Sequence, residues 1–249
     1  MKSPDRAPVR VAVIDSGVHP THPHIHGDLL EEGVAVGRDG MVTVGAGATI
    51  DLLGHGTAVT AAIQEKAPEA RCIPVRVFHD GLRASATALS AAVRWSIAAR
   101  VDAINLSLGT VNPAHEAVLQ AVADEAFAAG IALIAAREAG GQRCYPGSLQ
   151  RAIGVGLDWN CSREGCHVLN DDFYASGQPR PIPGVEPRRN LYGISFAVAN
   201  LTGLAARALP TIGGDGPNRI AALREKLARE AIVNVPAAQE RTTVPAVSP

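Results

Sequence analysis

An α/β fold, a mostly parallel β-sheet with helices on both faces, is predicted by three observations. Apolar, β-rich runs alternate along the chain with longer helical patterns, the signature of parallel strands joined by crossover helices. With 249 residues, 47% of them hydrophobic, the chain can bury a sizeable core within one domain. Its chemistry-bearing polar residues stand at strand ends and helix starts, where sites form in open α/β sheets.

The elements follow in order. Val9–Ile14 reads as the first strand, and His55–Lys66 as a helix that follows a glycine turn. Arg71–Phe78 is the next strand, followed by the alanine-rich helix Ala84–Arg100 and the strand Ala103–Leu108. Pro113–Ala129 is a helix with Pro at a favourable first-turn position. Strands Ile131–Ala135 and Ile153–Leu157 come next. Ser195–Leu209 is nearly all apolar and is expected to be a buried helix. Asn218–Ile232 places Ile220, Leu223, Leu227 and Ala231 at helical spacing, an amphipathic helix that packs on the domain. Residues 1–232 are read as one catalytic domain. Residues 233–249, with several prolines and few large apolar groups, are expected to form a flexible tail.

Charge and composition exclude several classes of function. The formal net charge of −1 gives no electrostatic case for nucleic acid or a membrane surface. No apolar run is long enough to span a bilayer. Met1 to Arg10 contain no apolar h-region, so a cytoplasmic location is expected. Four cysteines, at 72, 144, 161 and 166, are then expected to be reduced. Cys72 falls in a predicted strand and reads as core. Cys161 and Cys166 are a closely spaced pair without a second matching pair, which argues for a local disulfide or two free thiols over a zinc knuckle.

Three short segments carry the chemistry: Val11-Ala-Val-Ile-Asp15-Ser-Gly17, Gly54-His55-Gly-Thr57 and Gly193-Ile-Ser195-Phe-Ala197. Taken singly, each has an ordinary structural reading: Asp15 a turn residue, His55 a helix-start residue, Ser195 an N-cap. Together they supply an acid at the end of a strand and a histidine and a serine opening helices, the requirements of a nucleophilic triad. A serine hydroxyl is a weak nucleophile at its free pKa. It needs a histidine to take its proton and an acid to orient that histidine.

These segments, with His22-Pro23, Ile104-Asn-Leu-Ser-Leu-Gly109, Tyr145-Pro-Gly147 and Ile153-Gly-Val155, resemble the landmarks of subtilisin-like serine proteases from about Val9 to Leu209. The resemblance implies a three-layer subtilisin-like fold, with Asp15 as orienting acid, His55 as general base and Ser195 as nucleophile. It implies no metal or organic cofactor. The family often binds structural calcium, but no clear carboxylate-rich loop for it stands out. The serine motif departs from the family in carrying Ile194 for Thr and Phe196 for Met, and it lacks the Pro that often follows.

A larger departure concerns the oxyanion hole. The family usually places an Asn after the strand equivalent to Ile131–Ala135, and its amide donates to the tetrahedral intermediate. Aligned without gaps from Gly130, that position falls on Ala139; a one-residue slip puts Glu138 there. Neither donates from its side chain at neutral pH. Loss of this donor from a subtilisin lowers turnover by about 10²–10³. The backbone N–H of Ser195, at the positive end of its helix, remains as one donor, and Arg137 is a candidate second.

The resemblance also assigns substrate contacts. The strand end Ser107-Leu108-Gly109 pairs backbone to backbone with residues before the scissile bond. Glu138, in the opposite wall, favours a basic or small polar residue there unless it pairs with Arg137 or points to solvent. Gln178–Asn190 is Pro- and Arg-rich and precedes the serine, either a surface loop or a recruiting element for an acidic substrate. The stretch His19-Pro-Thr-His22-Pro-His24-Ile-His26 is read as an extended surface loop rather than a metal site.

Only about eight residues precede the first strand, which points to an intracellular relative without a prosegment. Such a relative resembles the processing proteases of ribosomally made, modified peptides, such as that of quinohaemoprotein amine dehydrogenase biogenesis. The expected partner is a peptide or protein precursor whose leader is removed. The alternative is a pseudoprotease that binds a peptide along Ser107–Gly109 without cutting it.

Overall fold

The computed structural model describes residues 7–45, 47–186 and 189–232; the expected tail, 233–249, lies outside them. The chain runs through β1 (Arg10–Asp15), β2 (Val34–Val36), β3 (Val42–Thr43), α1 (His55–Lys66), β4 (Arg71–Arg76), α2 (Ala86–Ala98), β5 (Ala103–Leu106) and α3 (Glu116–Ala128). It continues through β6 (Ala132–Ala136), β7 (Glu138–Ala139), β8 (Gln142–Arg143), β9 (Ile153–Leu157), β10 (Cys166–Leu169), β11 (Asp172–Ala175), α4 (Ile194–Ala208) and α5 (Gly216–Arg229).

The main sheet has the order β10-β11-β9-β6-β5-β1-β4-β2-β3. The strands from β2 across to β11 are parallel, and β3 and β10 add antiparallel edges. This is the mostly parallel α/β sheet that the sequence predicts. The chain builds β4 on one side of β1, then crosses through α2 to place β5 on the other. Such a reversal opens a crevice at the C-terminal ends of the strands.

Helices cover both faces. Val11 and Val13 of β1 pack with residues of α1, α4 and α5, whereas Ala12 and Ile14 pack with residues of α2 and α3. Successive side chains of a strand point to opposite faces, so Asp15 continues the Val11–Val13 row onto the α1 and α4 side. β5 follows the same rule. Ile104 and Leu106 join the α2 and α3 core, while Asn105 and Ser107 turn toward α4.

Several boundaries differ from the sequence reading, for local reasons. β4 stops at Arg76 rather than Phe78 because the Val77 and Phe78 amides both turn to the Asp15 carbonyl, at 2.8 and 3.3 Å. β5 stops at Leu106, two residues short, and Ser107 makes its contacts with Ser195 instead. α2 begins at Ala86, after the Ser85 hydroxyl accepts the Ala88 amide at 3.0 Å as an N-cap. Pro113–His115 is a separate 3-10 turn ahead of α3. α4 starts one residue earlier than expected, at Ile194, and α5 runs from Gly216 to Arg229 rather than from 218 to 232. β2, β3, β7, β8, β10 and β11 have no counterpart in the sequence reading, being two to four residues long. Among the described residues no helix is long and apolar enough to cross a membrane.

Candidate active site

Asp15 ends β1 with its side chain fully buried. Its Oδ1 accepts from the Ser16 amide at 2.8 Å and pairs with His55 Nδ1 at 2.7 Å. The His55 side chain is 11% exposed. Burial pushes its pKa down, but the hydrogen bond and charge of Asp15, reinforced by the charge of Asp51, outweigh burial and raise it above 6.5.

Two glycines make that pairing possible. Gly17 has φ +100°, and a Cβ on it would collide with the Thr49 carbonyl. A Cβ on Gly56 would collide with the Gly17 carbonyl. The Asp-Ser-Gly turn and the first turn of α1 therefore touch backbone to backbone. Neither position accepts a side chain without moving the acid away from the imidazole.

Asp51 is a buried carboxylate that the sequence reading missed. Its Oδ1 accepts from the Ser16 hydroxyl at 2.8 Å and from the Leu53 and Gly54 amides at 2.9 Å each. Its Oδ2 accepts from the Thr57 amide at 2.8 Å and the Thr57 hydroxyl at 2.6 Å. Burial raises the Asp51 pKa, and the Thr57, Ser16 and Leu53 hydrogen bonds outweigh it and bring the pKa below the ordinary carboxylate value. Asp51 thus holds the entry to α1 where Gly54, the residue at the N-cap position, has no side chain to offer. The spacing Asp51-Leu-Leu-Gly54-His55 was the available signal, an acid just upstream of a helix start.

Ser195 is the second residue of α4. Its amide is among the first-turn N–H groups that have no intrahelical acceptor, so it presents a donor at the positive end of the helix. Its hydroxyl donates to the Ser107 carbonyl at 3.0 Å and is turned along the Ser107 backbone rather than onto the imidazole. Behind it runs a buried polar chain. The Thr202 hydroxyl shares its proton between the Val198 carbonyl at 2.8 Å and Asn105 Oδ1 at 3.0 Å, Asn105 Nδ2 donates to the Ser107 hydroxyl at 2.7 Å, and that hydroxyl donates weakly to the Ser195 carbonyl at 3.4 Å. Phe196 is buried, with its ring centroid 5.8 Å from that of His55. The structure therefore gathers Asp15, His55 and the Ser195 segment at one crevice.

The expected substrate edge is placed beside them. Ser107 is buried, Leu108 is half-buried and Gly109 is exposed. A Cβ on Gly109 would meet Cys144 Sγ and the Tyr145 carbonyl. The next residue, Thr110, exchanges backbone hydrogen bonds with Tyr145 at 3.0 and 2.8 Å.

The opposite wall differs from expectation. Glu138 and Ala139 form β7 of a small antiparallel hairpin with β8, in which Glu138 faces Arg143 and Ala139 faces Gln142. Ala139 is exposed there. Arg137 pairs with Asp172 at 2.6 Å and donates to the Tyr174 hydroxyl at 3.0 Å. Both partners lie on β11, so the guanidinium is drawn away from the roles of oxyanion donor and Glu138 partner that the sequence left open for it.

Cys161 and Cys166 are free thiols, as are Cys72 and Cys144, so the local disulfide alternative is not the arrangement found. Among the described residues no group of three or more His, Cys, Asp or Glu is placed to hold a metal ion.

Comparison with known proteins places these features in context. The model of the Subtilase family matches residues 7–235. Subtilisin DY of Bacillus licheniformis is 26% identical over 222 residues, covering 82% of this chain and 77% of that protein. Subtilisin E of Bacillus subtilis (strain 168) is 28% identical over 214 residues, covering 79% of this chain but only 52% of its own length. Among solved structures, a chain described as a lanthipeptide protease superposes with a TM-score of 0.65 at 17% identity, over 87% of this chain and 78% of that one. That last likeness is one of fold.

Proposed function

The chain belongs to the subtilase family of serine endopeptidases, and from that premise we propose that it cleaves a specific precursor, removing a leader in the maturation of a modified peptide or small enzyme subunit. The observation that carries the catalytic part is the 2.7 Å contact of buried Asp15 with His55 Nδ1. It fixes the tautomer that leaves Nε2 free to accept a proton.

In the proposed reaction, Ser195 Oγ rotates from the Ser107 carbonyl toward His55 and attacks the scissile carbonyl carbon as Nε2 takes its proton. The oxyanion accepts from the Ser195 amide. Asp15 stabilises the imidazolium. His55 returns the proton to the leaving amine as the C–N bond breaks, giving an acyl-enzyme, and then activates the water that hydrolyses it. The backbone of Ser107–Gly109 holds the residues before the cut, and Glu138 biases the side chain accepted there.

Ala139 supports restriction to a dedicated precursor. Without an amide donor the chemical step is slow, and extended contacts with one substrate then supply the lost binding energy. The four free thiols fit a reducing, cytoplasmic setting. Nothing in the proposed chemistry calls for a metal, nucleic acid or membrane.

A second reading is favoured by the Ser195 hydroxyl donating to Ser107 and by the exposed Ala139: a pseudoprotease that binds peptide without hydrolysis. Intact-mass labelling with a fluorophosphonate decides between them. Stoichiometric labelling that Ser195→Ala and His55→Ala both abolish supports the protease. Absence of labelling in folded protein, also when a candidate precursor is added, rejects it in favour of binding.

A further inference from the structure

Two cavities are lined by residues adjoining the candidate active site. One, of about 610 Å³, includes Leu108 and Gly109 and continues the substrate edge. The other, of about 400 Å³, lies across His55, between the first turns of α1 and the segment leading to Ser195, and its chemistry differs. Its walls carry Arg180 and Arg189 together with His19, His22 and His24.

We propose that this second cavity binds a carboxylate-bearing side chain of the substrate peptide, with Arg180 and Arg189 supplying the charge. The proposal rests on the peptidase reading above and names the class of residue that its substrate presents. The cavity is bordered by Gly54 and Thr57, on either side of His55, and by Asn190 and Leu191, a few residues ahead of Ser195. In this proposal, a peptide with its scissile bond at the triad passes from the Ser107–Gly109 edge into this cavity.

Among the described residues the cavity wall carries two guanidinium groups against one carboxylate. Arg180 Nη1 donates to the His24 carbonyl at 3.0 Å, which fixes the guanidinium without neutralising it. Among the described residues neither Arg180 nor Arg189 forms an ion pair. The one carboxylate in the wall among the described residues is Asp51, whose two oxygens already accept from Ser16, Leu53, Gly54 and Thr57. His22 Nδ1 accepts the His24 amide at 3.1 Å, so in the neutral ring Nε2 carries the proton and is a donor. Burial, then the neighbouring charges of Arg180 and His22, lower the His24 pKa against a smaller opposing pull from Glu65. Guanidinium groups favour carboxylates over neutral amides through charge-assisted, bidentate hydrogen bonds.

The test uses fluorescein-labelled hexaglutamate and hexaglutamine peptides, with binding to full-length Ser195→Ala protein followed by fluorescence anisotropy. The expected result is at least about tenfold tighter binding of hexaglutamate. This preference is lost in Arg180→Gln/Arg189→Gln and kept in the control Arg94→Gln, whose guanidinium pairs with Glu125 elsewhere on the surface. Arg189→Glu, at an exposed position, removes the preference even if the double variant folds poorly. Equal affinity for the two peptides, or a preference that survives Arg189→Glu and the folded double variant, overturns the proposal. Because binding is read in a protein that cannot form an acyl-enzyme, a failure here is distinct from a failure of fluorophosphonate labelling in the wild-type chain.

Discussion

Ser16 and Asp51 join the two halves of the acid–base pair: the Ser16 hydroxyl donates to Asp51 Oδ1 at 2.8 Å while accepting the Gly56 amide at 2.8 Å. Ser16 follows the acid directly and Gly56 follows the base directly. One hydroxyl thus links the turn after β1 to the helix start of α1, and the Asp51 carboxylate orients that hydroxyl.

Replacing Asp51 by Ala leaves the Thr57, Leu53 and Gly54 donors without their acceptor, so a loss of about 2 kcal/mol in urea unfolding at pH 7 is expected. The pH dependence has a definite sign. The folded pKa of Asp51 is lowered from 3.8, so its contribution is present above that value and is lost as pH falls through the folded pKa. The gap between wild type and variant narrows on acidification, and a gap that stays constant from pH 7 to pH 3 would contradict this.

In the proposed mechanism His55 acts as a base only when neutral, and its pKa is raised from 6.5. The acid limb of kcat/KM is therefore expected above pH 6.5. Burial opposes that rise, and the hydrogen bond and charge of Asp15 and the charge of Asp51 produce it. Asp51→Asn moves the limb to lower pH. A limb that stays in place in a folded, active Asp51→Asn protein would show that Asp51 acts on the helix start alone.

Phe196 is 1% exposed and packs near the His55 ring. Phe196→Ala is expected to cost about 3–5 kcal/mol in chemical denaturation, whereas Phe196→Met, closer in size and flexible, costs less than about 1.5 kcal/mol. Equal losses for the two would mean that ring packing against the imidazole, rather than volume, decides the site.

Asn105 bridges Thr202 to Ser107 beneath the nucleophile. Asn105→Leu removes the donor to the Ser107 hydroxyl and one of two acceptors of the Thr202 hydroxyl, which keeps the Val198 carbonyl at 2.8 Å, an expected loss of about 1–2 kcal/mol. A slower fluorophosphonate labelling rate accompanies it, because the Ser107 hydroxyl, no longer oriented by Asn105 Nδ2, holds the Ser195 carbonyl less firmly. Unchanged labelling in a destabilised variant would assign Asn105 to the core only.

The long apolar strands and the helices were legible in sequence because their pattern extends over many residues. So was the grouping of Asp15, His55 and Ser195, whose motifs sit where a strand ends or a helix begins. Asp51 was not, since an Asp between Ile50 and Leu52 resembles any loop residue until its donors converge on it. The hairpin at Glu138–Arg143 was hidden for another reason. Two-residue strands have no periodicity, and the left-handed glycines Gly140 and Gly141 between them are visible only as a generic turn signal. Arg137 was legible as a cation but not in its direction, which β11 decides from 35 residues downstream.

The order in which the chain is made bears on when the three groups can meet. Asp15 and His55 lie in the first quarter of the chain, but Ser195 follows more than half the chain length later, on a helix that packs against α1, β5, β6 and β9. A partly synthesised chain that stops before α4 therefore carries Asp15 and His55 without Ser195. The three groups can meet only after α4, near the C-terminal end of the described chain, has packed onto the sheet.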